Sequence, residues 1–346
     1  MKVESRLFAA FIPALAAAGP LFAQAPVLWT RINFESSPVA APVIVLVHPT
    51  RAGNQWTASL QGWTLAGGWS GPLNSTTSLV LSAEVTPLNA HSSNYIYSDG
   101  ERDTEASYRN RTAELKTGLR FRLSDRWLSE AALIGLYESV DDLDHEIEQS
   151  WRRPYLGLEV LGEYTNTVSD DSFHALWDGV KASARLRAFT GDRGWWRSEL
   201  FLGAGKKLRR LFLGARAWWL YGDELDTVNA FLVGGAWELP GIVPLHGYRY
   251  AEFRLGRALV VNGGADVKIG NDSYVGVRGS YLDGSAVSTY GVTLRVSTVR
   301  KGIGLGFGIG FPERVLEGGD LSDTVLYGGL TFAVFQPRDA LRRPRH

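Results

Sequence analysis

Residues 112–123 carry the strictest pattern in the chain. Ala113, Leu115, Thr117, Leu119, Phe121 and Leu123 alternate with Glu114, Lys116, Gly118, Arg120 and Arg122. A period of two places successive side chains on opposite faces of a strand, so this stretch has one apolar face and one charged face. The pattern returns along the chain. In 155–165, Leu156, Leu158, Val160 and Tyr164 oppose Glu159 and Glu163. In 179–189, Val180, Ala182, Ala184, Leu186 and Ala188 oppose Lys181, Ser183, Arg185 and Arg187. In 258–269, Val261, Ala265, Val267 and Ile269 oppose Asn262, Gly264, Asp266 and Lys268. A chain assembled from such runs is all-β.

Face alternation by itself fits a soluble sandwich, apolar inside, and equally an inverted barrel, apolar outside. Three features favour the membrane barrel. The polar faces carry charges of both signs, as a wet interior wall would. Aromatics gather near strand ends at Trp127, Tyr155, Trp195, Trp196, Trp218, Trp219, Tyr221, Tyr274 and Tyr281, where interfacial girdles sit. The runs also approach the roughly 9–11 residues that a tilted strand needs to cross a bilayer. Closing the sheet pairs every backbone group, which lipid demands. The runs 55–65, 77–88, 112–123, 127–140, 155–165, 179–189, 195–205, 209–221, 231–237, 258–269, 274–282, 290–299, 303–311 and 325–335 predict a transmembrane antiparallel barrel of about 14 strands. The range is twelve to sixteen, since the number should be even and the region before residue 77 is ambiguous. The polar stretch 91–108 reads as a long loop. In 303–311 the apolar residues are separated by Gly304, Gly306, Gly308 and Gly310; a face of glycine suits a wall against which something packs closely.

Lys2 and Arg6, an apolar run to Phe22 and the Ala23-Gln24-Ala25 site make residues 1–25 a secretory signal peptide. Residues 26–54 read as a periplasmic lead-in with room for an extra strand or two, 55–335 as the barrel, and 336–346 as a basic tail. The 36 basic and 36 acidic side chains cancel, so no global field draws nucleic acid. The absence of cysteine excludes disulfides and thiolate metal sites. With a mean hydropathy of −0.08 the chain is too polar for a polytopic helical membrane protein. The expected surroundings are outer-membrane lipid.

Between the runs 231–237 and 258–269 lies a segment punctuated by Pro240 and Pro244 and rich in rings and cations: Leu245, His246, Gly247, Tyr248, Arg249 and Tyr250. It is too apolar to float in water and is expected to fold back into the barrel.

That segment carries a resemblance. Phe231-Leu232-Val233-Gly234-Gly235, then Leu245-His246-Gly247-Tyr248, then the strand ending Ala265-Asp266-Val267-Lys268 is similar to the interior-loop signature of the outer-membrane insertase and translocase superfamily, the BamA/TamA-like bacterial surface-antigen barrels. Tyr281-Leu282-Asp283-Gly284, the 290–305 hairpin and the closing strand 326–335 resemble further elements of that family. The resemblance spans roughly 155–335. It implies a loop reaching into the lumen whose arginine meets acidic wall residues, here Asp266 and Asp283. His246 stands in the arginine's place, and Arg249 is the substitute cation. No family-type periplasmic repeat fits in 26–54, so a separate periplasmic partner or client is expected.

No catalytic centre is expected. His246 with Ser280 or Ser285 has no supporting spacing, and His48, His91, His145 and His174 are scattered. No metal or other cofactor is expected. The lumen charges Glu114, Lys116, Arg120, Arg122, Glu159, Glu163, Lys181, Arg185 and Arg187 read as a salt-bridge lattice. The resemblance implies assistance to protein or lipid insertion or transport; the alternatives are a passive pore or structural surface barrel, and a lipid-acting barrel enzyme.

Overall fold

The computed structural model describes residues 27–35, 40–49, 53–61, 64–86, 95–98, 101–142, 151–169, 178–225, 229–236, 241–249, 251–270, 272–300 and 303–335. The expected signal peptide and basic tail lie outside them, as do His91, His145, His174 and Tyr250.

In chain order the strands are β1 (Val27–Glu35), β2 (Ala40–Pro49), β3 (Gln55–Gln61), β4 (Thr64–Pro72), β5 (Thr77–Thr86), β6 (Tyr95–Ser98), β7 (Glu101–Arg122), β8 (Trp127–Asp142), β9 (Trp151–Ser169) and β10 (Asp178–Thr190). They continue as β11 (Trp195–Leu208), β12 (Leu211–Asp223), β13 (Phe231–Val233), β14 (Ile242–Val243), β15 (Phe253–Leu255), β16 (Arg257–Ile269), β17 (Ser273–Gly284), β18 (Ser288–Arg300), β19 (Ile303–Pro312) and β20 (Val325–Phe335). Sixteen form the wall: β1 to β5, β7 to β12 and β16 to β20 pair antiparallel, each with the next. β1 also pairs with β20, from Leu28 against Phe335 to Glu35 against Tyr327, so the ladder returns to its first strand. β13, β14 and β15 form a small sheet, β13–β14 being parallel, which joins the start of β7 through Phe253 against Glu101 and so includes β6.

The even number sits at the top of the expected range, and the route to it corrects four readings. Residues 26–54, read as a lead-in with room for an extra strand or two, contribute β1 and β2 to the wall. Val43–Val47 is apolar on both faces, so it offers no alternation to read. Residues 64–72 form β4, of which the expected run 55–65 covered only the first two residues; three glycines and a proline leave little alternation there to read. The run at 231–237 is no wall strand but part of the interior sheet. Residues 95–98 and 101–108, expected as loop, are β6 and the start of the 22-residue β7. A strand that long exceeds what a bilayer needs, and a part outside the hydrocarbon layer has no reason to carry an apolar face.

The wall is apolar outward and polar inward. Leu115 is 68% and Phe307 59% exposed, and Leu156, Leu158, Leu202, Val277 and Leu294 likewise face out, whereas Glu130, Glu138, Glu159, Arg216, Asp266, Arg278 and Arg295 are buried. This inverts a soluble sandwich, and such a surface is at rest only in lipid. Among the described residues no helix is long and apolar enough to cross a membrane.

The aromatic expectation holds only in part. Trp127, Trp196, Trp219, Tyr221 and Tyr281 are exposed on the outside. Tyr155, Trp195, Trp218 and Tyr274 are buried, because each has the inward parity of its strand. Tyr155 and Trp195 pack with Phe189, Ile134 and Leu136, and Tyr274 with Phe212.

Candidate functional site: the loop inside the barrel

Wall strands eleven and twelve, β12 and β16, pair directly, so the 33 residues between Asp223 and Arg257 leave the wall and re-enter it at the same seam. The sequence dictates an inward route. Phe231, Val233, Val243, Leu245, Tyr248, Phe253 and Leu255 need cover, and they find it against Trp218 and Leu220 of β12, Ala258 and Val260 of β16 and Leu282 of β17. Together these form a small core within the barrel. Buried backbone N–H and C=O groups must find partners, and here they do. Gly234 N–H donates to Val243 O at 2.9 Å, Leu245 N–H to Gly235 O at 3.0 Å and Gly235 N–H to Tyr248 O at 3.2 Å. Gly234, at φ +141°, makes the bend that takes the chain out of β13.

Leu245, His246, Gly247 and Tyr248 are buried and Arg249 is partly buried. Gly247 has φ +100°, and a Cβ there would lie 2.7 Å from Phe311 O and 3.0 Å from Gly291 Cα. The corresponding Cβ on Gly310 would lie 3.0 Å from Gly247 Cα. Gly310, at the end of the glycine face of β19, is therefore the point on which the loop tip rests.

Tyr248 latches the tip. Its hydroxyl donates to Thr289 Oγ1, with Tyr290 O 3.1 Å away as an alternative acceptor, and accepts from the Glu313 N–H at 3.2 Å. Its carbonyl accepts from Tyr327 OH at 2.6 Å, and Thr289 Oγ1 donates to Glu313 Oε2 at 2.6 Å. Glu313 opens the short helix α1 (Glu313–Leu316) after β19. One residue thus ties the loop to β18 and α1 through its side chain and to β20 through its carbonyl. Burial raises the Tyr248 phenol above its ordinary pKa, so it stays protonated and able to donate.

The expected ion pair between loop and wall is replaced by another arrangement. Asp266 does face inward and is wholly buried, but it bonds Arg278 of β17 and lies 3.7 Å from Arg295 of β18. Asp283 is no loop partner: it shares outward parity with Tyr281 and accepts from Ser288 Oγ at 2.9 Å across the hairpin. His246 reaches the wall through its backbone, its N–H donating to Ser280 Oγ at 2.8 Å, while Asn262 Nδ2 donates to Pro244 O at 2.8 Å. Burial first, then the charges of Arg278, Arg295 and Arg216, depress the His246 pKa well below the ordinary 6.5. The imidazole is neutral. A neutral histidine suits this wall, where an arginine would face three others. Arg249 does not take over, for no ion pair joins it to Asp266 among the described residues. Arg216, Arg278, Arg295, Thr289 and Tyr327 escaped the sequence reading, and Ser280 entered it only as a nucleophile without supporting spacing. The inward parity of β12, β17 and β18 was the available signal for Arg216, Arg278, Ser280, Thr289 and Arg295.

The lumen charges lie on the opposite wall. Lys116 meets Glu130 at 2.5 Å and Glu159 at 2.7 Å; Arg120 meets Glu130 at 2.8 Å; Arg187 meets Glu114 at 2.5 Å and Glu159 at 3.0 Å. This is a lattice across β7 to β10. Glu130, which joins Lys116 to Arg120 within it, was not singled out in the sequence. Arg122, Glu163 and Arg185 are exposed to solvent at its margins, and Lys181 lies on the same inner face. The loop base is anchored on this side too, with Arg197 Nη1 donating to Asn229 O at 3.2 Å and Asn229 Nδ2 to Glu138 Oε2 at 3.2 Å.

These features define a class: an antiparallel outer-membrane-type barrel with an internal loop between its eleventh and twelfth wall strands. Comparison of structures agrees. BamA from Haemophilus ducreyi lacking POTRA domains 1–3 is similar with a TM-score of 0.65 and 8% identity, over 89% of this chain and 70% of that one. CdiB from Acinetobacter baumannii is similar at 0.56 and 11% identity, over 89% and 60%. CdiB from Escherichia coli is similar at 0.53 and 12%, over 88% and 62%. The chain thus spans less than two thirds of each CdiB chain. No protein-family model and no curated protein matches the sequence. The likeness is one of fold, and it places the chain among BamA- and CdiB-like barrels by architecture.

Proposed function

We propose that this is an outer-membrane barrel gated by its own internal loop, and that it assists insertion or translocation of proteins or lipids. The observation that carries this reading is the seating of His246–Tyr248 on the inner faces of β17 to β20. The tip is held by hydrogen bonds and close packing, with no ion pair between His246 and the wall among the described residues, and such a contact can be released at modest cost. The fold shared with BamA and CdiB supports the same reading, and a separate periplasmic partner or client is part of the proposal. The test is folding of a urea-denatured client barrel into liposomes. Liposomes containing this protein should accelerate it over empty ones, and equal rates would sink the insertase reading.

A second reading, a passive pore, is favoured by the charge lattice, since charged interior walls are what ion-conducting barrels use. Steady conductance in planar bilayers with no effect on client folding would select it. We take the chain to be non-enzymatic: Ser280 Oγ already accepts the His246 backbone N–H. Lipid hydrolysis that disappears in both Ser280→Ala and His246→Ala would overturn that.

A further inference from the structure

Between the loop and the β10–β12 wall lies a cavity of about 300 Å³. Its two sides differ in chemistry. All of its charge comes from the wall, where Lys181, Arg185 and Arg197 face a single acid, Glu199, beside Phe201 and Trp218, while the loop contributes only uncharged residues, Phe231, Leu232, Ile242 and Val243 among them. Cations outnumber carboxylates within this concave site. Low-dielectric walls strengthen such a field. Arg197 is turned toward the loop base, donating to Asn229 O at 3.2 Å and lying over the Phe231 ring at 5.8 Å. Arg185, with Lys181 four residues before it on the same face of β10, is placed to meet an occupant.

We propose that this cavity binds a single-chain amphiphile with an anionic head, of the medium-chain carboxylate class. The head is held by Arg185 and Lys181, and the tail lies along Phe231, Leu232, Ile242 and Val243. A simple inorganic anion would leave the apolar side against water. A neutral apolar molecule would gain nothing from the cations. The volume lies at the lower end of ligand pockets, which suits one short chain and excludes a two-chain phospholipid. Because the occupant touches both loop and wall, it braces the part of the loop that precedes the tip seated on β17 to β20.

The experiment is calorimetric titration of the full chain in lipid nanodiscs with octanoate, and in parallel with octylammonium and acetate, against empty nanodiscs as blank. Octanoate is expected to bind saturably, to bind at least about tenfold more tightly than either control, and to weaken as salt is raised. Arg185→Gln and Leu232→Asp should each lower octanoate affinity about fivefold or more. Both should retain the strand circular dichroism of the parent, which separates loss of the site from loss of the barrel. Equal uptake of octanoate and octylammonium would reduce the signal to partition into lipid and overturn the proposal. Acetate binding as tightly as octanoate would overturn the role of the apolar side. Unchanged affinity in folded Arg185→Gln would overturn the role of the cation.

Discussion

Gly247 and His246 decide how the loop sits. Any side chain at position 247 meets Phe311 O and Gly291 Cα at a φ that L-residues rarely adopt. Gly247→Val should therefore lift the tip off β19 while leaving the wall intact, and single-channel recordings should show larger and more frequent openings than the parent. His246 adds a pH dependence of definite sign. Its pKa in the docked loop lies well below 6.5, whereas a released loop restores the ordinary value. Protons therefore bind the released state, and docking is at full strength above about pH 6.5 and weakens as pH falls below it. The charged groups around it are Arg216, Arg278 and Arg295 with the carboxylate of Asp266 between two of them, and the arginines stay charged across this range. Limited proteolysis of the loop should speed up between pH 7.5 and pH 5.5, and His246→Gln should flatten that response.

At the scale of elements, strands β16, β17 and β18 are cross-braced by one carboxylate between two arginines. Asp266 is buried under Arg278 and beside Arg295, so removing its charge leaves buried cations uncompensated. Asp266→Asn should cost about 3 kcal/mol, read as a lower urea midpoint for unfolding in lipid, whereas Asp283→Asn at the exposed hairpin should change it little. The sequence displayed Asp266 on the polar face of its strand without displaying its partners. Parity is a property of one strand. Which arginine lies beside that carboxylate depends on the register between strands, and register is a property of the sheet. The same limit explains Tyr248, whose partners Thr289, Glu313 and Tyr327 are 41, 65 and 79 residues further along the chain.

For the whole molecule, the inversion of faces predicts opposite tolerances. Leu294 is exposed on the outer wall, and Leu294→Arg should cost about 2–4 kcal/mol if that position lies at mid-bilayer depth. Thr165→Arg, at an exposed position near the end of β9, should cost far less; equal losses of refolding yield in liposomes would argue against a lipid-facing wall.

Much of this architecture was legible in the chain itself. Alternation in runs such as 112–123 determined strand and the split into an apolar and a charged face, because the pleat imposes its period on side chains one strand at a time, and the mixed-sign charges then pointed the charged face inward. The proline- and ring-rich segment around His246 required an interior place, since that much apolar surface is costly in water. What only the tertiary structure decided is how faces meet. It made β1 and β2 part of the wall, turned Tyr155 and Trp195 inward, and gave Asp266 to Arg278 and Arg295 instead of the loop. It left His246 neutral among arginines, with Tyr248 as the latch. Those outcomes depend on contacts between residues far apart in sequence, and no local period encodes them.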